Sequence, residues 1–489
     1  MLFIIKFAPE IITKSKPVRQ QMANKLYTNL NRQCKANQFH AEIKQHWDKL
    51  TLSINEDKNI NKASVVQMLK HTSGIAHFLD VLEQPFTDFD AAANFCLEYF
   101  QEQITGKTFV VRCKRSGQHE FTSHDLERQV GGRINQRIEN TQVKLKDPDI
   151  TIGLELNRDK LFLIKEKIKG LGGFPMGEVE PVLSLISGGF DSSVSSYMTM
   201  RRGMPTHFCF FNLGGDAHEI AVKEVAYYLY SHFGSGVRVN FISVPFESIV
   251  AEILEKITNS QMGVVLKRMF YRAAAKIAQQ QKIQALVTGE AVAQVSSQTL
   301  TNLNVIEKVT DTLILRPLIT SDKEDIIKIA REIGTEAFSA VIPEYCGVIS
   351  DRPTTRAKQD IIEGEEQKFD MSLIDQVVDA AVITPIDKID FTKDNQPQPI
   401  DTIIAPDISD IIIDIRHPND ALDAPLKIEN HAIKTVPFYK LGRHFDSLDS
   451  NVRYLLYCDQ GVMSKLHASH LEERGFRMGI FKKPQSNNH

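Results

Sequence analysis

Short apolar runs alternate with longer stretches of helical spacing along most of the chain. The opening Met1-Leu2-Phe3-Ile4-Ile5-Lys6-Phe7 reads as a first β-strand over Leu2–Phe7, and Ile43-Lys44 and Leu50–Ile54 as two more, with a basic helical stretch at Val18–Leu30 between them. Thr108-Phe109-Val110-Val111-Arg112 predicts a further strand. Near residues 125–139, Leu126, Val130, Ile134 and Ile138 recur every fourth position, which places them on one side of a helix. Gly170-Leu171-Gly172-Gly173-Phe174-Pro175-Met176-Gly177 packs four glycines and a proline into eight residues and reads as a linker.

From residue 181 the rhythm becomes strand–helix–strand. Val182–Ile186 predicts a strand followed by a helix from about Ser192. Thr206–Phe211 and Ala285–Thr288 predict two more strands, and Leu266, Met269, Phe270, Ala273, Ala274 and Ile277 give residues 263–280 a helical face. Such alternation implies a parallel sheet covered by helices. Residues 361–414 carry 13 acidic and 3 basic residues and four prolines, and read as a helix followed by a tether. Alternation resumes with Asp410–Arg416, then Tyr454–Cys458, then a helix from near Ser464.

Length and composition narrow the classes. The chain has 489 residues, 42% apolar and 24% charged, the balance of a globular protein of several domains and not of a disordered or fibrous one. No apolar run approaches the ~20 residues that span a bilayer, which predicts no membrane partner, and scattered cysteines predict a reducing compartment and a cytoplasmic protein. The formal charge of −3 hides an asymmetry: residues 1–70 hold 12 basic and 5 acidic residues. A basic front end on a near-neutral chain points to a polyanionic partner. Six cysteines (Cys34, Cys96, Cys113, Cys209, Cys346, Cys458) show no CxxC spacing, which argues against a disulfide framework, a zinc knuckle or an iron–sulfur cluster.

Chemistry concentrates in two places. The strand at 182–186 runs into Ser187-Gly188-Gly189-Phe190-Asp191-Ser192-Ser193. Gly188 and Gly189 let the backbone approach a ligand, the following helix offers free N–H groups, Ser187 and Ser192 add hydroxyls, and Asp191 is a candidate magnesium ligand. This segment is similar to the PP-loop of ATP pyrophosphatases, which split ATP between the α and β phosphates and adenylate a carbonyl oxygen; that implies an activating enzyme and not a kinase. Cys458-Asp459-Gln460-Gly461-Val462-Met463-Ser464 lies between a strand and a helix and resembles the rhodanese active-site loop, whose cysteine carries a persulfide. Asp414-Ile415-Arg416 matches the D-x-R that ends a rhodanese strand. Cys346, in Pro343-Glu344-Tyr345-Cys346-Gly347, sits in a loop and is a candidate resolving thiol; the other four cysteines read as core residues.

Together these features resemble the tRNA uridine 4-sulfurtransferase (4-thiouridine synthetase) family, in the long form ending in a rhodanese domain and also used in making the thiazole of thiamine. Further matching segments are Phe211-Asn212-Leu213-Gly214-Gly215, Val287-Thr288-Gly289-Glu290-Ala291 and Gln294–Thr299. The resemblance implies a multidomain α/β and α+β chain: a ferredoxin-like domain over 1–60, a THUMP RNA-binding domain over 61–168, a linker over 169–180, a doubly wound parallel PP-loop domain over 181–380, a linker over 381–404 and a rhodanese domain over 405–489. By position it implies ATP contacts from Leu185, Ile186, Ser187, Gly188, Gly189, Ser192, Lys267, Gly289, Gln298 and Lys323, and RNA phosphate contacts from Arg112, Lys114, Arg115, Arg133 and Arg137.

The implied reaction uses ATP with Mg2+ and no permanently bound cofactor. A pyridoxal-phosphate cysteine desulfurase loads Cys458, tRNA uridine eight is adenylated at O4, sulfur displaces AMP, and a Cys346–Cys458 disulfide is reopened by a cellular reductant. A sulfur-carrier protein of thiamine synthesis is a further implied partner. Two other readings stay open from the sequence: sulfur relay to the carrier protein alone, and a non-catalytic tRNA-binding scaffold.

Overall fold

A computed structural model of the chain describes residues 1–55, 60–213, 216–340, 342, 350, 352–389, 400–416, 421, 425–428, 431, 433–436, 441, 449, 451–458, 464, 467–468, 471–472 and 474–483. Contacts divide it into two compact units, one essentially residues 1–179 and the other essentially residues 180–489.

The first unit is built on one eight-stranded sheet. In spatial order its strands are Ala41–Gln45, Lys49–Ile54, Leu2–Phe7, Ile75–Pro85, Lys160–Lys169, Ile150–Asn157, Thr108–Ser116 and Gln142–Val143. Strand Leu2–Phe7 alternates because Phe3, Ile5 and Phe7 turn to a core shared with helix Lys16–Ala36, while Lys6 faces the other way and donates to Glu155 at 3.0 Å. That core also takes in Val65, Met68, Leu69, Ile75 and Phe78, so the first packed body runs past the boundary expected at residue 60. The physical reason is strand Ile75–Pro85, which pairs with both Leu2–Phe7 and Lys160–Lys169 and belongs to both halves of the sheet. A second core lies under helices Phe89–Ile104 and Ser123–Arg137 and contains the predicted Leu126, Val130 and Ile134. Ile138 falls one residue beyond the helix, at its C-cap. The glycine-rich segment is tied down: the N–H groups of Gly170 and Gly172 donate to Ala76 and Ile75.

The second unit holds two sheets. The larger runs Leu313–Leu315, Ala285–Val287, Val182–Leu185, Thr206–Asn212, Asn240–Pro245, Val382–Pro385, all parallel except the last. Numbered along the chain the parallel strands read 5-4-1-2-3, a doubly wound sheet whose strand order reverses beside Val182–Leu185. Val382–Pro385, expected in a tether, is instead the antiparallel edge strand. It is too short and too exposed to show alternation (Val382 and Ile383 are 62% and 44% exposed). Its backbone nevertheless covers the outer edge of Asn240–Pro245. The smaller sheet, Thr402–Ile403, Arg477–Phe481, Arg453–Tyr457, Ile411–Asp414, Ile433–Thr435, is parallel throughout and fits the rhodanese-like domain expected there. Thr402–Ile403 places the end of the expected 381–404 linker inside this sheet too.

Among the described residues no helix is long and apolar enough to cross a membrane.

Candidate active site

Where the strand order reverses, two loops leave neighbouring strands side by side: Ser187–Gly189 after Val182–Leu185, and Thr288–Gln298 after Ala285–Val287. Between them opens a cleft of about 280 Å³. Leu185, Ile186, Ser187, Asp191, Ser192, Lys267, Gly289 and Gln298, all expected from the sequence, line it together. Helix Phe190–Arg202 begins two residues earlier than expected, so Asp191 sits in its first turn.

Hydroxyls lock the first loop. The Ser192 hydroxyl accepts from the Ser187 N–H at 3.2 Å and donates to the Gly189 carbonyl at 3.1 Å, and the Ser193 hydroxyl donates to the same carbonyl at 2.9 Å. These bonds hold the backbone in a curve at a helix N-terminus, the arrangement that receives phosphate. Gly188 has φ +82°, the left-handed region that glycine adopts without strain.

Gly289, which lines the cleft, also lets the two loops meet. A Cβ there would stand 2.6 Å from the Asp191 carbonyl carbon and 2.8 Å from the Ser192 nitrogen, so the missing side chain lets the second loop lie directly on the first.

The charged groups form two clusters, one on Asp191 and one on Glu290. Lys323 donates to Asp191 Oδ1 at 2.8 Å, and Gln294 donates to Oδ2 at 2.7 Å. Lys267 donates to Glu290 Oε1 at 2.9 Å. Glu290 is buried, and its Oε2 accepts from Tyr271 at 2.6 Å, Arg316 at 2.9 Å and Thr288 at 3.2 Å. Burial opposes the Glu290 charge, yet Lys267, the Tyr271 hydroxyl and Arg316 outweigh it and hold the carboxyl at about 2. Burial, with Glu290 beside it, pushes the Tyr271 hydroxyl up. Beneath the first loop, His218 lies within 3.4 Å of the Ser187 carbonyl, and its burial brings the imidazole down to about 4. Glu290, Gln294, Tyr271, Arg316 and His218 were not singled out in the sequence. Glu290 and Gln294 lie in segments noted there, but neither residue type announces a role without its partner.

At the second place, Cys458 follows the central strand Arg453–Tyr457 and is partly exposed. Its Sγ lies 3.4 Å from both the N–H and the hydroxyl of the buried Ser464, and that N–H donates to the sulfur. Just past the end of the adjacent strand Ile411–Asp414, Arg416 grips Asp414 through two bonds of 2.9 and 2.7 Å and covers the Tyr457 ring at 5.1 Å. Cys346 lies outside the described residues. Cys34, Cys96, Cys113 and Cys209 are buried, and burial raises each thiol, Cys96 to about 12. They are core residues.

The basic residues of the front half are not all alike. Arg133 and Arg137 both bind Asp90, Arg133 at 3.0 Å, and so fasten helix Ser123–Arg137 to the start of helix Phe89–Ile104. Arg112 donates to the Leu145 carbonyl at 3.0 Å, and Arg115 meets His119 at 2.9 Å. Lys114 is exposed on its strand.

The chain is similar to known proteins over nearly its whole length. The family described as "Thiamine biosynthesis protein (ThiI)" matches residues 177–371, the THUMP domain 86–165 and the ThiI ferredoxin-like domain 2–78. The tRNA sulfurtransferase of Shewanella sediminis (strain HAW-EB3) is 52% identical over 476 residues, covering 97% of this chain and 98% of its own. That of Shewanella loihica (strain ATCC BAA-1088 / PV-4) is 51% identical over the same shares. Among solved structures, a 4-thiouridine synthetase in complex with RNA and bound ATP superposes with a TM-score of 0.69 at 24% identity, over 78% of this chain and 99% of that one. PH1313 from Pyrococcus horikoshii Ot3 follows at 0.53 and 19%, over 68% and 100%. At those identities the two structures speak for the fold, whereas the full-length relatives at half identity speak for the family. The chain belongs to the tRNA sulfurtransferase family and is an enzyme of that class.

Proposed function

We propose that the chain adenylates O4 of a tRNA uridine, at position eight, and replaces that oxygen with sulfur carried as a persulfide on Cys458. What carries the reading is the convergence on one cleft, at the sheet's point of reversal, of a hydroxyl-locked loop with Asp191, Lys267, Gly289 and Gln298, with Lys323 reaching it through Asp191. A helix N-terminus and two lysines meet the charge that builds on departing pyrophosphate. Asp191 offers one carboxylate, as suits a magnesium ion that arrives on nucleotide phosphates and keeps most of its water. The bound ion would add charge neutralisation on those phosphates.

The atoms balance as follows. O4 attacks the α-phosphorus and pyrophosphate leaves. The outer sulfur of Cys458–S–SH ends on C4 and AMP leaves with the oxygen. Cys346 attacks the Cys458 Sγ, so the S–S bond of the persulfide is exchanged for a Cys346–Cys458 disulfide. A dithiol reductant then restores both thiols. The Ser464 N–H beside Sγ stabilises the Cys458 sulfur as it takes on negative charge. Loading comes from a pyridoxal-phosphate cysteine desulfurase. The four front-half arginines hold protein partners, so their phosphate contacts would be shared with those partners, with Lys114 the exposed complement.

A second outlet is sulfur transfer from the Cys458 persulfide to a carrier protein's C-terminal carboxylate that a separate adenylating enzyme has already activated as an acyl adenylate, so that AMP leaves with the carboxylate oxygen and Cys346 closes the disulfide on Cys458. The smaller sheet's own hydrophobic core favours it, since that step asks nothing of the ATP cleft.

The test incubates the protein with unmodified tRNA, Mg-ATP, cysteine and a desulfurase, and reads the digested nucleosides by mass spectrometry. Thiouridine is expected to require ATP, Asp191 and Cys458. Unmodified tRNA alongside persulfidated Cys458 would move the carrier protein to first place. Undiminished product with Asp191→Ala would remove the ATP cleft from the reaction.

A further inference from the structure

Glu290 has more partners than a single ion pair needs. Among the described residues Oε1 receives only Lys267, at 2.9 Å, while Oε2 receives Tyr271, Arg316 and Thr288 at 2.6, 2.9 and 3.2 Å. Lys267 lines the cleft beside Ser187 and Asp191, on a flexible stem. Arg316 is held at both ends, by Glu290 and, at 2.7 Å, by Glu307.

If Lys267 is to meet a phosphate it must leave Glu290 or share it. A carboxylate only 5% exposed that loses its sole cation bears the full cost of an uncompensated buried charge. Here Glu290 does not lose its sole cation, because Arg316, Tyr271 and Thr288 stay on the other oxygen.

We propose that Arg316 is a positioning residue for nucleotide binding: it keeps Glu290 satisfied so that Lys267 can pass between that carboxylate and the phosphates of ATP. This rests on the ATP-binding reading above. Arg316 touches neither nucleotide nor reacting atoms in this account; it acts through Glu290 on the freedom of Lys267. Without it, Lys267 is the one cation left on Glu290 and cannot be spared.

The measurement is the affinity of the full-length protein for a Mg-ATP analogue with a non-cleavable α,β bridge, by titration calorimetry, with a thermal melt of every variant. Arg316→Gln is expected to weaken binding at least about tenfold, the size of leaving a buried charged group without its partner. Adding Glu290→Gln to Arg316→Gln removes the charge that holds Lys267 and should restore affinity to within about threefold, as should Arg316→Lys, which leaves a cation on Glu290. In a Lys267→Met background Arg316→Gln should cost less than about twofold, because no lysine remains to be transferred.

A general loss of positive field predicts instead that the Arg316→Gln penalty persists in the Lys267→Met background, and that result overturns the proposal. So does wild-type affinity in Arg316→Gln, or tenfold weakness in either the double variant or Arg316→Lys. These last two carry the test even where Arg316→Gln alone does not fold. A wild-type protein that fails to bind the analogue would refute the ATP reading itself, a different outcome from any of these.

Discussion

The imidazole of His218, under the proposed ATP cleft, gives the fold a pH dependence of its own. It lies 7% exposed under the first loop, near the Ser187 carbonyl, and burial lowers it to about 4, with the bond to Ser187 and the charge of Glu219 pulling the other way. Its folded value is below its unfolded one of about 6.5, so between those values the unfolded chain binds the extra proton. The stability contributed by His218 is therefore complete above pH 6.5 and is lost as pH falls towards 4, in total about 3 kcal/mol. Denaturant midpoints measured from pH 7 to 4 should fall less steeply for His218→Gln than for the wild type; parallel curves would show that the ring titrates freely. Glu290 carries the opposite chemistry with the same sign of slope. Held at about 2, its stabilisation is present above the ordinary carboxylate range and goes only in stronger acid. Of these residues the sequence revealed those with a local signature. Lys267 was assigned through the family resemblance, with which the apolar face of its helix, through Leu266, Met269 and Ala273, agrees by leaving it on another side. Arg316 could not be, because what sets it opposite Thr288–Glu290 is the parallel register Val287↔Leu315, and a register between distant strands is not written in one sequence.

Elements show the same division between local pattern and pairing. Strands such as Leu2–Phe7 and Thr206–Asn212 announce themselves by apolar runs, and the helix over Ser123–Arg137 by its four-residue spacing. The edge strand Val382–Pro385 does not, since only its backbone is used. The loop Thr288–Gln298 was legible as a set of segments and not as an object that closes on the other loop. Its shape depends on Gly289 and on Ala293, whose φ of +62° turns the chain just before Gln294 reaches Asp191. Gly289→Ala puts a methyl against main-chain atoms of Asp191 and Ser192, neither of which is the end of a flexible side chain. The two loops must separate, at a cost of about 1–3 kcal/mol. ATP-dependent pyrophosphate release should fall at least tenfold (~1.4 kcal/mol), with persulfide loading of Cys458 unchanged. A variant with full pyrophosphate release would mean that the loops have room to spare. Gln294→Ala removes the donor on Asp191 Oδ2 and leaves Lys323, so it should raise KM for ATP a few-fold with the fold intact, read by steady-state kinetics.

Across the whole molecule the two chemistries are housed on different sheets. The proposed ATP cleft stands on the mixed sheet with a core running from Leu183 through Val378, and Cys458 stands on the parallel sheet with a core of Ile413, Leu441, Leu456 and their neighbours. The division was visible from the sequence because each half carries its own motif after its own strand, and because apolar alternation stops and resumes between them. The extent of the tether was less visible, since acidic and proline-rich composition hides the short strands at its two ends. Separate cores give a separable reaction. In the proposed mechanism adenylation needs O4, ATP and the cleft; it consumes no sulfur, and no bond to Cys458 is made or broken until the adenylate exists. Cys458→Ala, incubated with unmodified tRNA and Mg-ATP, should therefore release pyrophosphate in an amount set by the tRNA present, while forming no thiouridine. Asp191→Ala should do the reverse: no tRNA-dependent pyrophosphate, with Cys458 still accepting a persulfide from the desulfurase. Pyrophosphate release that vanishes with Cys458→Ala would require the sulfur to be in place before the uridine is activated, and the order of steps would have to be reversed.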